Sequence, residues 1–277
     1  MSDRVLTEQC LTAFRQRLLG EEKSPATVEK YMRDARSFWA FTGGDPVDKE
    51  LMMAYKASLL DRGYAVRSVN SMLASLNSLL AFLGWEDCRV KHLKTQRQTY
   101  CAEDRELTKA EYRRLLGAAT GQLSLILQTI CSTGIRVSEL RWFTVEAVRR
   151  GEVVVRCKSK TRTILLPGKL RRRLLAYARR RGYAGGVLFR ARTGRPLDRG
   201  NIWRQMKRLC AAAQVPDQKV FPHNLRKLFA RTFYAREKDI AKLADLLGHS
   251  SIDTTRIYII STGTEHRRKI ENLGLVV

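Results

Sequence analysis

Between positions 5 and 83 apolar residues return every three or four positions, in four runs separated by short polar or glycine-bearing breaks. That period is the signature of helices burying one face. The runs predict helices at roughly 5–19, 25–43, 48–61 and 66–83. Ser24-Pro25 opens the second, a capping side chain followed by a residue whose missing N–H costs nothing at the first helical position. Val28, Tyr31, Met32, Ala35, Phe38, Trp39 and Phe41 follow at helical spacing, and Val69, Met72, Leu73, Leu76, Leu79, Leu80 and Phe82 form the stripe of the fourth. Four short helices with matching stripes predict a bundle. Trp39 and Trp85 then belong to its core rather than to a base-stacking surface. From about Trp85 to Arg105 the period fails, and Arg89, Lys91, His92, Lys94 and Arg97 bring in positive charge. This predicts a linker, either a solvated connector or a basic strap along phosphate, which needs only charge and reach.

A second domain opens at Leu107-Thr108-Lys109-Ala110-Glu111, whose Thr-x-x-Glu spacing is a capping box ahead of Leu115, Leu116 and Ala119. Gly121 to Cys131 reads as another helix, and Ile135 to Trp142 as a further helical segment on which Arg136 and Glu139 meet at i, i+3. Residues 152–166 change to β-branched runs, Val153-Val154-Val155 and Thr163-Ile164-Leu165-Leu166, around a basic turn from Lys158 to Arg162. The pattern is a hairpin. Leu170, Leu174 and Leu175 give the next helix an apolar face with arginines outside, and Asn201 to Ala213 is a second basic helix. Pro222 starts a helix placing His223 and Arg226 on one face; Asp239 to Leu247 forms a short helix ending at Gly248; Ser250 to Ile257 carries another towards Tyr258; and a helical tail at 264–275 shows Ile270, Leu273 and Leu275. The fold class is therefore mainly α with a small β-hairpin. It comprises an N-terminal helical bundle (1–88), a basic linker (89–105) and a C-terminal mixed α+β domain (106–277).

Charge narrows the partner. The 52 Lys and Arg outweigh 27 Asp and Glu, a formal net charge of +25, of which residues 101–277 carry +22. Such a field selects nucleic acid or an anionic membrane surface. No apolar run reaches the ~18 residues of a membrane span, and Met1-Ser2-Asp3-Arg4 leads into no signal-peptide core. A soluble, intracellular protein, cytoplasmic and with a polyanionic partner, is expected. Cys10, Cys88, Cys101, Cys131, Cys157 and Cys210 are scattered without a C-x-x-C pair, so neither a metal site nor a cofactor is expected.

The chemistry lies in four blocks: Gly134-Ile135-Arg136-Val137-Ser138-Glu139-Leu140, the hairpin lysines, His223-Asn224-Leu225-Arg226, and Leu247-Gly248-His249 through to Tyr258. A phenol is a weak nucleophile, with an ordinary pKa of about 10. Attack on a phosphodiester therefore requires a neighbouring base and cations on the phosphate. Planar guanidinium forks suit the non-bridging oxygens, and histidines move protons near neutral pH. In order and spacing these blocks resemble the tyrosine recombinases, the lambda-integrase family, over nearly the whole chain.

The resemblance implies a core-binding domain, a catalytic domain, and an active site of Arg136, Lys158, His223, Arg226, His249 and Tyr258, with Glu139 supporting Arg136. Tyr258 is the implied nucleophile, leaving a 3′-phosphotyrosine and a free 5′-hydroxyl with no metal, ATP or other cofactor. A hairpin lysine is implied as general acid. Cys157-Lys158-Ser159-Lys160 is about one residue shorter than the usual Gly-Lys-Gly-x-Lys, which leaves Lys158 and the alternative Lys160 both open. Arg162 is expected to do no more than attract phosphate. Lys227 stands where many relatives have histidine. Double-stranded DNA as the polyanionic partner, and a homo-tetramer on two DNA sites with exchange of C-terminal tails, are implied as well. Two other functions carry similar residues: a type IB topoisomerase and a non-catalytic DNA-binding regulator.

Overall fold

The computed structural model describes residues 4–95, 103–157, 160–260 and 263–275. It divides into two compact units, Met1–Arg97 and Gln98–Val277. In the first, α1 (Glu8–Gly20), α2 (Pro25–Thr42), α3 (Lys49–Asp61) and α4 (Val66–Phe82) stand where the apolar periodicity puts them. Ser24 accepts from the Thr27 N–H, and Asp48 from the Leu51 N–H, each closing a helix start. Phe14, Leu18, Phe38, Met52, Tyr55, Leu59, Leu73, Leu76 and Leu79 fill the bundle, with Trp39 and Trp85 packed against it. The charge-rich stretch begins as part of this unit rather than as free connector. Val90 is buried, and Asn77 and Asn70 bracket the backbones of Val90 and Leu93, each side-chain amide donating to one carbonyl and accepting from one N–H.

In the second unit α5 (Lys109–Ala118) carries the expected capping box: Glu111 N–H donates to Thr108 Oγ1, and Thr108 N–H to Glu111 Oε2. Next come α6 (Gly121–Thr133), α7 (Val145–Arg150), β1 (Glu152–Cys157), β2 (Lys160–Leu165), α8 (Gly168–Arg180) and α9 (Arg199–Ala213). They are followed by α10 (Pro222–Glu237), α11 (Ile240–Leu247), α12 (Ile252–Ile259) and α13 (Gly263–Glu271). α6 packs on α10 at the centre, where Leu127, Ile130, Ile135, Phe143, Leu174 and Leu225 are buried together.

Two local expectations change. Arg136 is not inside a helix: α6 ends at Gly134 with φ +64°, and Arg136 is the extended residue capping a 3₁₀ helix at Val137–Trp142. Strand pairing also runs further into the basic run than the sequence suggested. Antiparallel pairing continues from Glu152 with Leu165 to Cys157 with Lys160, so Lys160, Thr161 and Arg162 are strand residues. The ladder hydrogen bonds outweigh the polar character of those side chains. Arg162 pairs with Val155, two positions from Ile164, and therefore shares the inward face with Val155 and Ile164.

Among the described residues no helix is long and apolar enough to cross a membrane.

Candidate active site

Gly134 is the keystone of the site. A Cβ there would lie 2.4 Å from Phe229 Cδ1 and 3.0 Å from Leu247 Cδ2, and the left-handed φ already disfavours any side chain. The tight turn aims its carbonyl at Arg226, whose Nη1 donates to it at 2.5 Å. Arg226 Nη2 donates to the Leu247 carbonyl at 2.7 Å and to His249 Nε2 at 2.9 Å. Its residue is only 1% exposed, so these acceptors are what make an arginine tolerable there. Burial, then the charge of Arg136, pulls its pKa down to about 10, which still leaves it cationic at neutral pH. Among the described residues its Nε–H has no acceptor, a donor not yet satisfied.

Because a guanidinium only donates, His249 Nε2 must accept. The proton then sits on Nδ1, which donates to Thr255 Oγ1 at 2.9 Å. The ring is neutral: burial first, then Arg226, Arg136, Arg162 and His223, lower its pKa to about 4. His223 reaches the surface at the second position of α10, yet the protein crowding its ring, then Lys227 and Arg226, hold its pKa below the ordinary histidine value. Tyr258 is 8% exposed. The rings of His223 and His249 each lie 5.0 Å from its ring, and Arg226 Cζ lies 5.7 Å from the same centre.

The second arginine is organised by Glu139, which is 1% exposed. Its Oε2 accepts from the Arg136 backbone N–H at 2.7 Å, and its Oε1 from Arg136 Nη1 at 3.2 Å. The same carboxylate takes Arg162 through two parallel bonds, Nη1 to Oε1 at 2.9 Å and Nη2 to Oε2 at 2.8 Å. Arg162 also runs against Gly248, where a Cβ would fall 2.6 Å from its Nη1. One buried carboxylate thus joins the Arg136 turn to the hairpin, and Arg162 joins the hairpin to the Gly248–His249 turn. Arg162 is held inside the structure rather than offered to DNA. Its spacing from Ile164 was the signal, since alternate strand residues share a face.

The structure brings together Arg136, Glu139, His223, Arg226, His249 and Tyr258. Lys158 lies outside the described residues, and of Lys160 only the backbone pairing with Cys157 is described. Thr255 and Arg162 are the members that motif reading passed over. Among the described residues no three His, Cys, Asp or Glu side chains converge as a metal site requires.

This geometry can be set beside known proteins. The sequence pattern of the phage integrase family matches residues 105–265, and that of the phage integrase N-terminal SAM-like domain matches residues 11–87. The chain belongs to the phage integrase family. Within the family it is 32% identical over 269 residues to the tyrosine recombinase XerA of Thermococcus kodakarensis, covering 93% of this chain and 92% of that one. It is 30% identical over 290 residues to the tyrosine recombinase XerC of Mesorhizobium japonicum, covering 92% and 91%. The fold is similar to that of a lambda integrase tetramer bound to a Holliday junction, with a TM-score of 0.75 and 18% identity over 93% of this chain and 78% of that chain. It is also similar to the XerH recombinase bound to difH substrate, with a TM-score of 0.67 and 16% identity over 98% and 90%. Membership places the chain among the tyrosine recombinases, enzymes of site-specific DNA recombination, rather than among topoisomerases or regulators.

Proposed function

We propose that this site-specific DNA recombinase breaks and rejoins double-stranded DNA through Tyr258. The observation that carries the assignment is the convergence on one phenol of two imidazole rings, each 5.0 Å away, and a buried guanidinium. Arg136 and Arg226 hold the non-bridging oxygens of the scissile phosphate, and the unsatisfied Nε–H of Arg226 favours an incoming anion. The Tyr258 oxygen bonds to phosphorus while its proton passes to His223, whose surroundings disfavour the cationic ring before the transfer. The bond from phosphorus to the 5′-oxygen breaks as a hairpin lysine, Lys158 or alternatively Lys160, supplies a proton to that oxygen. The product is a 3′-phosphotyrosine and a 5′-hydroxyl. The phosphodiester energy is kept in the covalent link, so attack by another strand's 5′-hydroxyl reverses the step without ATP.

Strand exchange requires several such sites together, and we infer a homo-tetramer on two DNA sites, acting on DNA in the cytoplasm. At the far end of the chain Ile270, Leu273 and Leu275 are 56%, 63% and 82% exposed. The first turn of α13 is tied to α10 by two bonds from Arg231 Nη2 to Glu265, at 2.9 and 3.1 Å. An anchored base with an uncovered apolar end suits a tail that packs on a neighbouring protomer.

The test mixes purified protein with pairs of labelled duplexes cut from DNA flanking its gene, in buffer containing EDTA and no ATP. Recombinant-length strands from wild type, and none from Tyr258→Phe, are expected. Relaxation of supercoiled plasmid without any exchanged product would replace recombination by a topoisomerase activity.

A further inference from the structure

Thr255 is fully buried and lies on α12 three residues before Tyr258, one helical turn away. Its hydroxyl is the acceptor that His249 Nδ1–H requires if His249 Nε2 is to accept from Arg226. We propose that Thr255 is a positioning residue: by fixing the Nδ1–H tautomer of His249, it latches the helix bearing the nucleophile onto the phosphate-binding Arg226. The inference rests on the assignment of Tyr258 and Arg226 made above. Two bonds of 2.9 Å form the whole chain from Arg226 through His249 to Thr255.

The alternative tautomer shows why the hydroxyl matters. With the proton on Nε2, two N–H donors would face each other across the 2.9 Å between His249 and Arg226 Nη2, and the ring would have to turn away. The charges that act on this imidazole from Arg226, Arg136 and Arg162 are all positive, and the Tyr258 ring lies 5.0 Å from it. Thr255 Oγ1, at 2.9 Å, is the acceptor that the Nδ1 proton meets. α12 is short, Ile252–Ile259, and Ile252 and Ile257 on it are half exposed. Thr255 and Tyr258 are its buried residues, so a polar latch at Thr255 bears directly on where the phenol sits.

The decisive measurement is ring-nitrogen NMR of the full-length, isotope-labelled chain, with His249 assigned among four histidines by His249→Gln. Wild type is expected to show a neutral ring protonated at Nδ1; protonation at Nε2 would overturn the proposal outright. Thr255→Val keeps the shape and removes the acceptor, so the ring is expected to become a tautomer mixture. On nicked duplexes from DNA flanking the gene, Thr255→Val is expected to form covalent adduct about ten-fold more slowly at unchanged DNA affinity, the loss of roughly one hydrogen bond. Thr255→Ser, which restores the hydroxyl, should return to within about three-fold of wild type by the same reckoning. Wild-type rates in Thr255→Val, or equal slowing in both variants, would reduce Thr255 to packing. Should Thr255→Val fail to fold, the wild-type tautomer and Thr255→Ser still decide. Absence of adduct in wild type sinks the Tyr258 assignment instead, and the tautomer in the free protein then tests the latch separately.

Discussion

Glu139→Gln tests the organisation of the site at its most concentrated point. The carboxylate accepts four hydrogen bonds, from the Arg136 N–H at 2.7 Å, Arg136 Nη1 at 3.2 Å, and Arg162 Nη1 and Nη2 at 2.9 and 2.8 Å. Glutamine has the same shape but one acceptor oxygen and an NH₂ that would confront an arginine N–H. The Arg162 side chain is 15% exposed and the Glu139 side chain 2%, so that pair is desolvated; the Arg136 side chain at 39% is solvent-screened and contributes little. Removing one partner of a buried pair costs about 3–5 kcal/mol, and the retained acceptor places this change at the low end, about 3 kcal/mol. With a urea slope of about 2 kcal/mol per M, the unfolding midpoint should fall by about 1.5 M. The assay is urea unfolding read by Trp142 and Trp203 fluorescence, in a background where Trp39→Phe and Trp85→Phe silence the first unit. A midpoint within about 0.25 M of the parent, or roughly 0.5 kcal/mol, would refute the claim that this carboxylate holds the two arginines together.

Other outcomes follow from the same geometry. Gly134→Ala combines a left-handed φ of +64° with a Cβ 2.4 Å from the Phe229 ring; urea unfolding should show a loss of about 2–4 kcal/mol, and a change below about 0.5 kcal/mol contradicts the close approach. Arg162→Met should leave DNA affinity nearly intact but slow adduct formation about ten-fold or more, the equivalent of at least ~1.4 kcal/mol; wild-type rates would return Arg162 to simple charge attraction. His249 is harder to protonate in the folded chain, about 4 against 6.5, so the unfolded chain binds the extra proton between those values. Its contribution to stability is complete above pH 6.5 and is lost as pH falls towards 4, and His249→Gln should flatten the stability profile across that window. An unchanged slope in this variant would show that the ring titrates normally.

Much of this architecture was legible because it follows local rules. Val28, Met32, Ala35 and Phe38 are spaced for one helical face and are buried on it, and Thr108 with Glu111 forms the capping box its spacing predicts. The chemistry-bearing residues were legible through the motifs, but their environments were not. Nothing near Arg226 in sequence announces its acceptors, since they come from Gly134 and Leu247, 92 and 21 residues away. The Arg136 segment reads as helix because Arg136 and Glu139 have i, i+3 spacing, yet the left-handed Gly134 ends the helix first and Glu139 caps backwards. Arg162 looked like turn charge because its neighbours are basic, while strand pairing with Val155 turns it inwards. Thr255 gives no sign in sequence, because its role depends on which nitrogen of His249 carries the proton.

The central claim is that Tyr258 becomes covalently joined to DNA. The direct measurement incubates wild type and Tyr258→Phe with nicked duplexes from DNA flanking the gene, denatures with detergent, and maps any protein–DNA adduct by mass spectrometry. A 3′-phosphate on Tyr258, absent from Tyr258→Phe although that protein still binds the duplexes, is the predicted result. An adduct on another residue, or tight binding by wild type with no adduct at all, would contradict it.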